Sequence, residues 1–281
     1  MAVPGPWRPM GLLDILDEAV RLYRSQFVLM ATITLIGTIP SLAIFLLSGG
    51  NHLINAFSTA ITHPNSQTDP SSLGYSNGIA LLQYPVSLIL LPFSTGPILL
   101  AAIETIMGRK TTLGYVYKET ARRYFGLLLL NVILILGVLV PIACCIGLPL
   151  SIWLIGRWIP ALPALLVERV SAGAALSRSW FLTDRAWTRS FGSLALVVLV
   201  GDVVIPAVIP VLVGLTALIP KISLDTHLAI GTVIYILVSQ LDYPLVALVT
   251  ALLYFDLRVR REAFDLEWVA WTELRTAPSS V

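Results

Sequence analysis

Charged residues are scarce in this chain of 281 residues, and long windows have none. Asp, Glu, Lys and Arg make up 12% of the sequence, whereas 57% is hydrophobic and the mean hydropathy is +0.86. The windows Gln26–Ser48, Phe125–Gly156 and Phe191–Gly201 contain no charged residue at all. A water-soluble domain of this size cannot bury so much apolar surface, so lipid must be the solvent for much of the chain.

Cysteine and histidine are also rare, which argues against a disulfide framework and a metal centre. Cys144 and Cys145 are adjacent, and vicinal cysteines seldom form a structural disulfide, while two thiols alone do not make a metal site. The spacing of His52, His63 and His227 fits no ligand motif. We therefore expect no metal and no cofactor.

Six apolar stretches are each long enough to cross a bilayer, which takes roughly 20 helical residues. An unpaired backbone group in lipid costs several kcal/mol, so all six should be helical. The sequence predicts an all-α, polytopic integral membrane protein with a single membrane domain over residues 1–281. The predicted spans are about Gln26–Ser48, Gly78–Met107, Phe125–Ala143, Ile146–Val167, Phe191–Leu212 and Leu228–Phe255.

The basic residues predict the orientation of these spans. Of the 18 Lys and Arg residues, Lys221 falls on one side, Arg157 falls within a span, and the other sixteen share the opposite side. Because cytoplasmic loops are enriched in Lys and Arg, we expect a multi-pass membrane protein with both termini in the cytoplasm. The net charge of +2 is too small to suggest nucleic-acid binding. Anionic lipid head groups are the partners that these cations predict.

Three similar segments precede the outward-going spans and predict amphipathic helices at the cytoplasmic interface. Each has apolar residues at helical spacing, a basic end and a Phe that opens the next span. We interpret them as a threefold repeat with units of about 9–108, 109–168 and 169–258, followed by an interfacial tail at 259–281. The alternative is that any polytopic protein has amphipathic basic stretches at this boundary. The segments are GLLDILDEAVRLYRSQF, TLGYVYKETARRYF and AGAALSRSWFLTDRAWTRSF.

Four stretches together resemble a broad group of bacterial six-helix membrane proteins. They are GRKTTLGYVYK from Gly108, the Arg157-Trp158 pair before Pro160 and Pro163, ALSRSWFLT from Ala175, and LYFDLRVRREAFDLE from Leu253. This group is similar to the membrane domain attached to some glycerophosphoryl diester phosphodiesterases and to the YciC-like proteins. The resemblance implies a fold and an inner-membrane location. It carries over no catalytic residues, because the phosphodiesterase activity of the fused proteins belongs to a separate soluble barrel.

A candidate polar cluster lies near the predicted middle of the membrane. It consists of Arg157, Asp202 and Asp242, with Gln240 beside the last. A charge at that depth costs roughly 3 kcal/mol or more on insertion scales, so these groups should pair with one another. The functional interpretation is a substrate or proton site, and the structural one is an ion pair that holds the helices together. Glu104 and Glu168 are explained by the cytoplasmic boundary alone.

The C-terminal segment is a predicted interfacial anchor. Arg258, Arg260 and Arg261 directly follow the last span, and Trp268 and Trp271 recur at helical spacing after them. Cations suit lipid phosphates, and aromatic rings suit the head-group boundary. A docking surface for a cytoplasmic protein is the alternative.

These patterns favour a non-enzymatic inner-membrane accessory or organising protein that acts on lipid or on a protein partner, including a second copy of the chain. The alternative is a transporter of a small or lipid-like solute that uses Arg157, Asp202 and Asp242. A transporter predicts a water-accessible cavity that reaches those residues. An organising protein predicts a dry, paired cluster.

Overall fold

The computed structural model describes residues 9–47, 78–143, 147–199, 201 and 242–264. Within these ranges the chain is all-helical and contains no strand. The helices are α1 (Leu12–Ser25), α2 (Phe27–Leu47), α3 (Gly78–Ile106), α4 (Leu113–Ala121), α5 (Tyr124–Ala143), α6 (Gly147–Trp158), α7 (Ala161–Glu168), α8 (Ala172–Thr183), α9 (Trp187–Val198) and α10 (Asp242–Glu262).

Several predictions concern residues outside these ranges. They include more than half of the fifth predicted span and half of the sixth. They also include Asp202, Gln240, Trp268, Trp271, both cysteines and all three histidines.

Among the described residues, three helical segments are long and apolar enough to cross a membrane. They are Pro85–Ile106 within α3, the whole of α5, and the joined pair α6–α7 from Gly147 to Glu168. The pair α1–α2, which bends by 88°, is a fourth if it counts as one span. The all-helical, membrane-spanning fold is therefore confirmed in part, whereas the count of six spans and the threefold repeat stay predictions.

The surface of α5 is the one expected for contact with lipid. Phe125 is 82% exposed, and Leu129, Leu136, Leu139 and Val140 are each more than half exposed. A soluble protein rarely leaves so continuous an apolar face uncovered. Lipid is the environment that suits this face.

The fourth predicted span is not one continuous helix. The structure breaks Ile146–Val167 after Trp158, and Pro160 caps the start of α7. Proline has no N–H to donate and disfavours helical geometry in the residue before it, which explains the break. Arg157 consequently lies in the last turn of α6, just before the break.

All three predicted amphipathic segments contain a helix, namely α1, α4 and α8. Each is followed by a short break and then by an apolar helix. The Thr112 hydroxyl accepts a hydrogen bond from the Tyr115 N–H at the start of α4, and the Ser171 hydroxyl accepts one from the Ala174 N–H at the start of α8. These are ordinary N-cap contacts, which explain where the helices begin.

Helix α1 packs against α9 and α10 through its apolar face. Ile15 and Ala19 are buried, and the Leu12 side chain approaches Gly192 of α9. Met10, just before α1, contacts Asp256 near the end of α10, while Tyr23 lies within electrostatic range of Asp242 at its start. Helix α1 therefore follows α10 along its length, antiparallel to it. Its predicted position at the lipid interface stays a prediction.

Gly96 allows α3, α4 and α5 to approach closely. A Cβ atom at this position would lie 2.3 Å from Cγ2 of Thr120 and 3.0 Å from Cδ1 of Leu127. We expect Gly96→Ala to lower the free energy of unfolding by about 1–3 kcal/mol, because both neighbours are buried and cannot easily move. Unfolding of the detergent-solubilised protein measures this change.

Two variants test the cause of that loss. Adding Thr120→Ser removes the overlapping methyl group and should recover part of the stability. Gly173→Ala is the matched control, because a Cβ at Gly173 meets nothing within 4 Å. If Gly96→Ala were as harmless as Gly173→Ala, the close packing of these helices would be wrong.

Candidate functional site

The ends of five helices surround a cavity of about 330 Å³. It lies between the end of α3, helix α4, the start of α5, the end of α7 and the end of α10. We call it the arginine cavity. Its charged lining residues are Arg109, Arg123, Arg169, Arg258, Glu104 and Glu119. The rest of the lining consists of Tyr115 and the apolar residues Leu100, Ile103, Met107, Leu166, Val167, Phe255 and Phe264.

Arg123 is fixed in the wall of the arginine cavity. Its side chain is only 16% exposed and lies 2.8 Å from the Glu119 carboxylate. It also donates hydrogen bonds to the carbonyl oxygens of Leu165 and Leu166, at 3.4 and 2.5 Å. These carbonyls belong to the last turn of α7, so Arg123 caps that helix and ties it to α5.

Arg258 is similarly held at the end of α10. Its Nε lies 3.0 Å from a Glu262 oxygen, and its guanidinium lies 4.1 Å from the centre of the Phe264 ring. Its side chain is 14% exposed. Arg258 therefore combines an ion pair with a cation–π contact.

Arg109 and Arg169 form the exposed rim of the cavity. Their side chains are 53% and 73% exposed. The nearest carboxylate oxygens are 3.6 Å from Arg109, on Glu104, and 3.8 Å from Arg169, on Glu119. Pairs of this length and exposure stabilise little, so both side chains are free to turn towards another anion.

Glu119 stays ionised inside this group of cations. Burial alone would raise the pKa of its carboxyl, but hydrogen bonds from Arg122 and Arg123 hold that pKa below its usual value. Since four arginines and two glutamates line the cavity, the lining carries a formal excess of two positive charges. An anion is the ligand that this balance favours.

The backbone of Arg169 adopts a left-handed conformation. It is the C-cap of α7, with φ 59° and ψ 36°. Glycine usually occupies such a position, because a side chain makes this geometry unfavourable. Arg185, between α8 and α9, shares the same φ of 59° but does not line the cavity.

A second ion-pair network connects α7 and α10, two of the helices that line the cavity. Arg178 of α8 lies between Glu168 at the end of α7, at 2.7 Å, and Glu262 at the end of α10. The Tyr254 hydroxyl donates a hydrogen bond of 2.7 Å to Glu168. Burial would raise the pKa of Glu262, but hydrogen bonds from Arg178 and Arg258 hold it below its usual value. The network joins the ends of α7 and α10 to the middle of α8.

Asp256 is the centre of a third network, which the sequence analysis missed. Its fully buried carboxylate lies 2.9 Å from Arg189 and 3.0 Å from Arg260. It also accepts a hydrogen bond of 2.8 Å from the Met10 N–H. Both arginines donate to the Met10 carbonyl as well. The sequence contained one signal for this network. Asp256 is a single acid at the end of an apolar run, and Arg260 follows it four residues later.

The comparison with protein families bears on the same helices. Residues 134–264 match the membrane domain of glycerophosphoryl diester phosphodiesterase. The match confirms the resemblance that the sequence motifs indicated, although it tests neither the six-helix count nor the likeness to YciC-like proteins. No curated protein and no solved structure matches the chain significantly.

The match to a membrane-domain family agrees with the exposed apolar helices, and together they indicate a membrane protein. The matched region contains α6–α10 and the second half of α5. It includes Arg169, Arg258, the network of Arg178 and, apart from Met10, the network of Asp256. The other half of the cavity, with Arg109 and Arg123, precedes the matched region.

Arg157, which lies in the matched region, pairs with Asp184, an acid that was not among its predicted partners. Its guanidinium lies 3.8 Å from Asp184 and beside the rings of Trp153 and Trp180, whose centres are 5.3 and 5.0 Å away. The Ser179 hydroxyl donates a 2.7 Å hydrogen bond to the Arg157 carbonyl. These contacts join α6 to α8.

Asp242 begins α10 and is buried. Its carboxylate lies against Gly201, where a Cβ atom would come within about 2.1 Å of it. Because Asp202 and Gln240 lie outside the described residues, the predicted cluster of Arg157, Asp202 and Asp242 stays a prediction.

The arginines of the predicted C-terminal anchor contact acids within the protein. Arg260 pairs with Asp256, and Arg261 lies 3.0 Å from Asp184. Arg258 contacts Glu262. The anchor also includes Trp268 and Trp271, outside the described ranges, so its contact with lipid stays a prediction.

A boundary position alone does not explain Glu104 and Glu168, contrary to expectation. Glu104 is only 6% exposed and lines the arginine cavity, where it accepts a hydrogen bond from the Tyr115 hydroxyl at 3.4 Å. Glu168 is held by Arg178 and Tyr254. Glu104 faces Arg109 of the loop that follows its own helix, whereas Glu168 pairs with Arg178 of α8.

Proposed function

We propose that this chain is a non-enzymatic inner-membrane accessory or organising protein that acts on anionic lipid through the arginine-rich ends of its helices. The observation that carries the proposal is the arginine cavity, where the ends of α3, α7 and α10 meet and positive charge exceeds negative charge. Apolar helices next to basic helix ends are the arrangement that suits lipid tails and anionic head groups.

The state of the acids also favours charge pairing over catalysis. Arginines hold the pKa values of Glu119 and Glu262 below their usual values, so both carboxylates stay ionised near neutral pH. A general acid or base works best when its pKa lies near the working pH. Electrostatic attraction is therefore the role that we assign to this face, which we place on the cytoplasmic side.

The lipids that accompany the purified protein test this proposal. We expect lipid extracted with the detergent-purified chain to be richer in anionic phospholipid than the bulk membrane of the same cells. The enrichment should fall when the protein is washed at high salt, because screening weakens contacts between exposed charges. A lipid composition equal to that of the bulk membrane at low salt would contradict the proposal.

A further inference from the structure

We infer that the arginine cavity binds one phosphate-bearing lipid, with the phosphate between Arg109 and Arg169 and the start of the apolar chain against the cavity wall. This inference rests on the proposed function and narrows it from a basic face to a defined site. It commits to a single lipid molecule held by named residues, in addition to any general attraction between the protein and anionic lipid.

The two rim arginines are available to an anion. Among the described residues, the guanidinium groups of Arg109 and Arg169 make ion pairs of 3.6 and 3.8 Å, both longer than a hydrogen bond. They can turn towards a phosphate without losing a hydrogen bond. Arginine presents a planar fork of donors that matches phosphate oxygens, and two such groups fit one phosphate well.

The inner charges are already balanced, which leaves the excess at the rim. Glu119 is held by Arg122 and Arg123, at 3.1 and 2.8 Å, and Arg258 is held by Glu262 at 3.0 Å. Within the described ranges, the one acid that pairs with Arg109 is Glu104. A phosphate at the rim would therefore meet cations that the protein itself leaves weakly paired.

The apolar part of the lining indicates a ligand that is more than an inorganic anion. Met107, Val167 and Phe264 lie in the same cavity as the rim arginines. Its volume of about 330 Å³ is near the lower end of the range for small-molecule sites. A phosphate group on an apolar chain would use both kinds of surface, whereas free phosphate would use only the charged one.

The conformation of Arg169 is a second, independent indication. Its left-handed backbone would be more favourable with glycine, yet the position carries a long cation that is 73% exposed and points to the cavity rim. Unfavourable backbone geometry concentrates at functional sites, where the surrounding structure maintains it. A binding role explains why arginine occupies this C-cap.

The geometry also provides a test that leaves the fold intact. Arg169→Gly removes the cation at a position where glycine is favoured, so the variant should be at least as stable as the parent. Arg185→Gly is the matched control, because it removes an arginine at the same φ of 59° outside the cavity. The two variants have the same net charge, and each introduces glycine at the same positive φ.

Binding is measured by native mass spectrometry of the detergent-solubilised protein, with added phosphatidylglycerol and with phosphatidylcholine as the neutral-headgroup comparison. We expect one phosphatidylglycerol per chain. The affinity of Arg169→Gly should be about tenfold lower, as expected for the loss of a hydrogen bond to a charged group, while Arg185→Gly stays near the parent value. Equal losses in both glycine variants would overturn the inference.

A third variant tests the apolar wall. Met107→Trp places a larger side chain at the partly buried edge of the cavity without changing its charge, and should weaken phosphatidylglycerol binding. Inorganic phosphate, added as a competitor, should not displace the lipid at equal concentration. Displacement by inorganic phosphate at that concentration would overturn the lipid assignment.

The results also separate this inference from the proposed function. If anionic lipid is enriched in the purified protein but Arg169→Gly binds phosphatidylglycerol as the parent does, the cavity is not the site and the broader proposal stands. If the parent shows no preference for anionic lipid in either experiment, the proposed function itself fails.

Discussion

Replacing Asp256 with Asn should lower the free energy of unfolding by about 3 kcal/mol, the lower end of the range for removing one member of a buried ion pair. The carboxylate is fully buried and pairs with both Arg189 and Arg260. Asparagine has nearly the same shape but no charge, so the two guanidinium groups would repel each other across an uncompensated site. The arginines are 22% and 38% exposed, and partial contact with water keeps the loss at this lower end.

The same change should release the segment before α1. Met10 is clamped through its N–H, which donates to Asp256, and through its carbonyl, which accepts from Arg260 at 3.0 Å. We expect Asp256→Asn to shift the unfolding transition in denaturing detergent and to make the chain near Met10 more sensitive to limited proteolysis. Stability loss without increased cleavage would show that Asp256 does not hold this segment.

Asp184→Asn is the control for this experiment. Asp184 also contacts two arginines, Arg261 at 3.0 Å and Arg157 at 3.8 Å, but its side chain is 51% exposed. Exposed ion pairs contribute little to stability, so the unfolding transition should hardly move. An equal loss in both variants would mean that removing any of these carboxylates disturbs the fold, and that the burial of Asp256 has no special importance.

Sequence periodicity was sufficient to predict the helices, because the signal lies within each segment. Residues such as Ile15 and Ala19 recur at helical spacing, and the structure buries both in α1. The long uncharged windows likewise became α2, α5 and α6. The break at Pro160 is likewise a local signal, because an interior proline has no N–H to donate and interrupts the helix.

The pairing of charges was harder to predict, because it depends on contacts between distant parts of the chain. Depth in the membrane suggested Asp202 and Asp242 as partners of Arg157, yet Asp184 reaches it from the turn after α8. Glu168 and Glu262 are 94 residues apart in sequence and meet only because Arg178 lies between them. A single sequence contains no information on which helix ends will be neighbours.

The arginine cavity was invisible for the same reason. The sequence placed its arginines on one side of the membrane, as the positive-inside rule requires, but that rule is satisfied by any arrangement of loops on that side. Only the structure shows that Arg109, Arg123, Arg169 and Arg258 line one space. The left-handed backbone of Arg169 was equally hidden, because only its coordinates distinguish it from an ordinary C-terminal cation.

Replacing Arg178 with Met should lower the free energy of unfolding by about 2 kcal/mol. The change keeps a long apolar stem but removes the guanidinium that joins Glu168 to Glu262, leaving two partly buried carboxylates to repel each other. Their side chains are each 20% exposed, so water compensates for part of the loss. The unfolding transition in denaturing detergent measures the change.

Two comparisons determine whether the network, and not the arginine itself, is responsible. Arg21→Met removes a cation that is 72% exposed and pairs with Glu18 within α1, so it should have little effect. In a double-mutant cycle, Glu262→Gln should lower the free energy of unfolding less in the Arg178→Met background than in the parent. In that background the two acids already repel each other, and Glu262→Gln removes this repulsion. If the effects of Arg178→Met and Glu262→Gln on the free energy of unfolding simply added, the two side chains would not be energetically coupled. The network would then not stabilise the contact between the ends of α7 and α10 that supports the cavity wall.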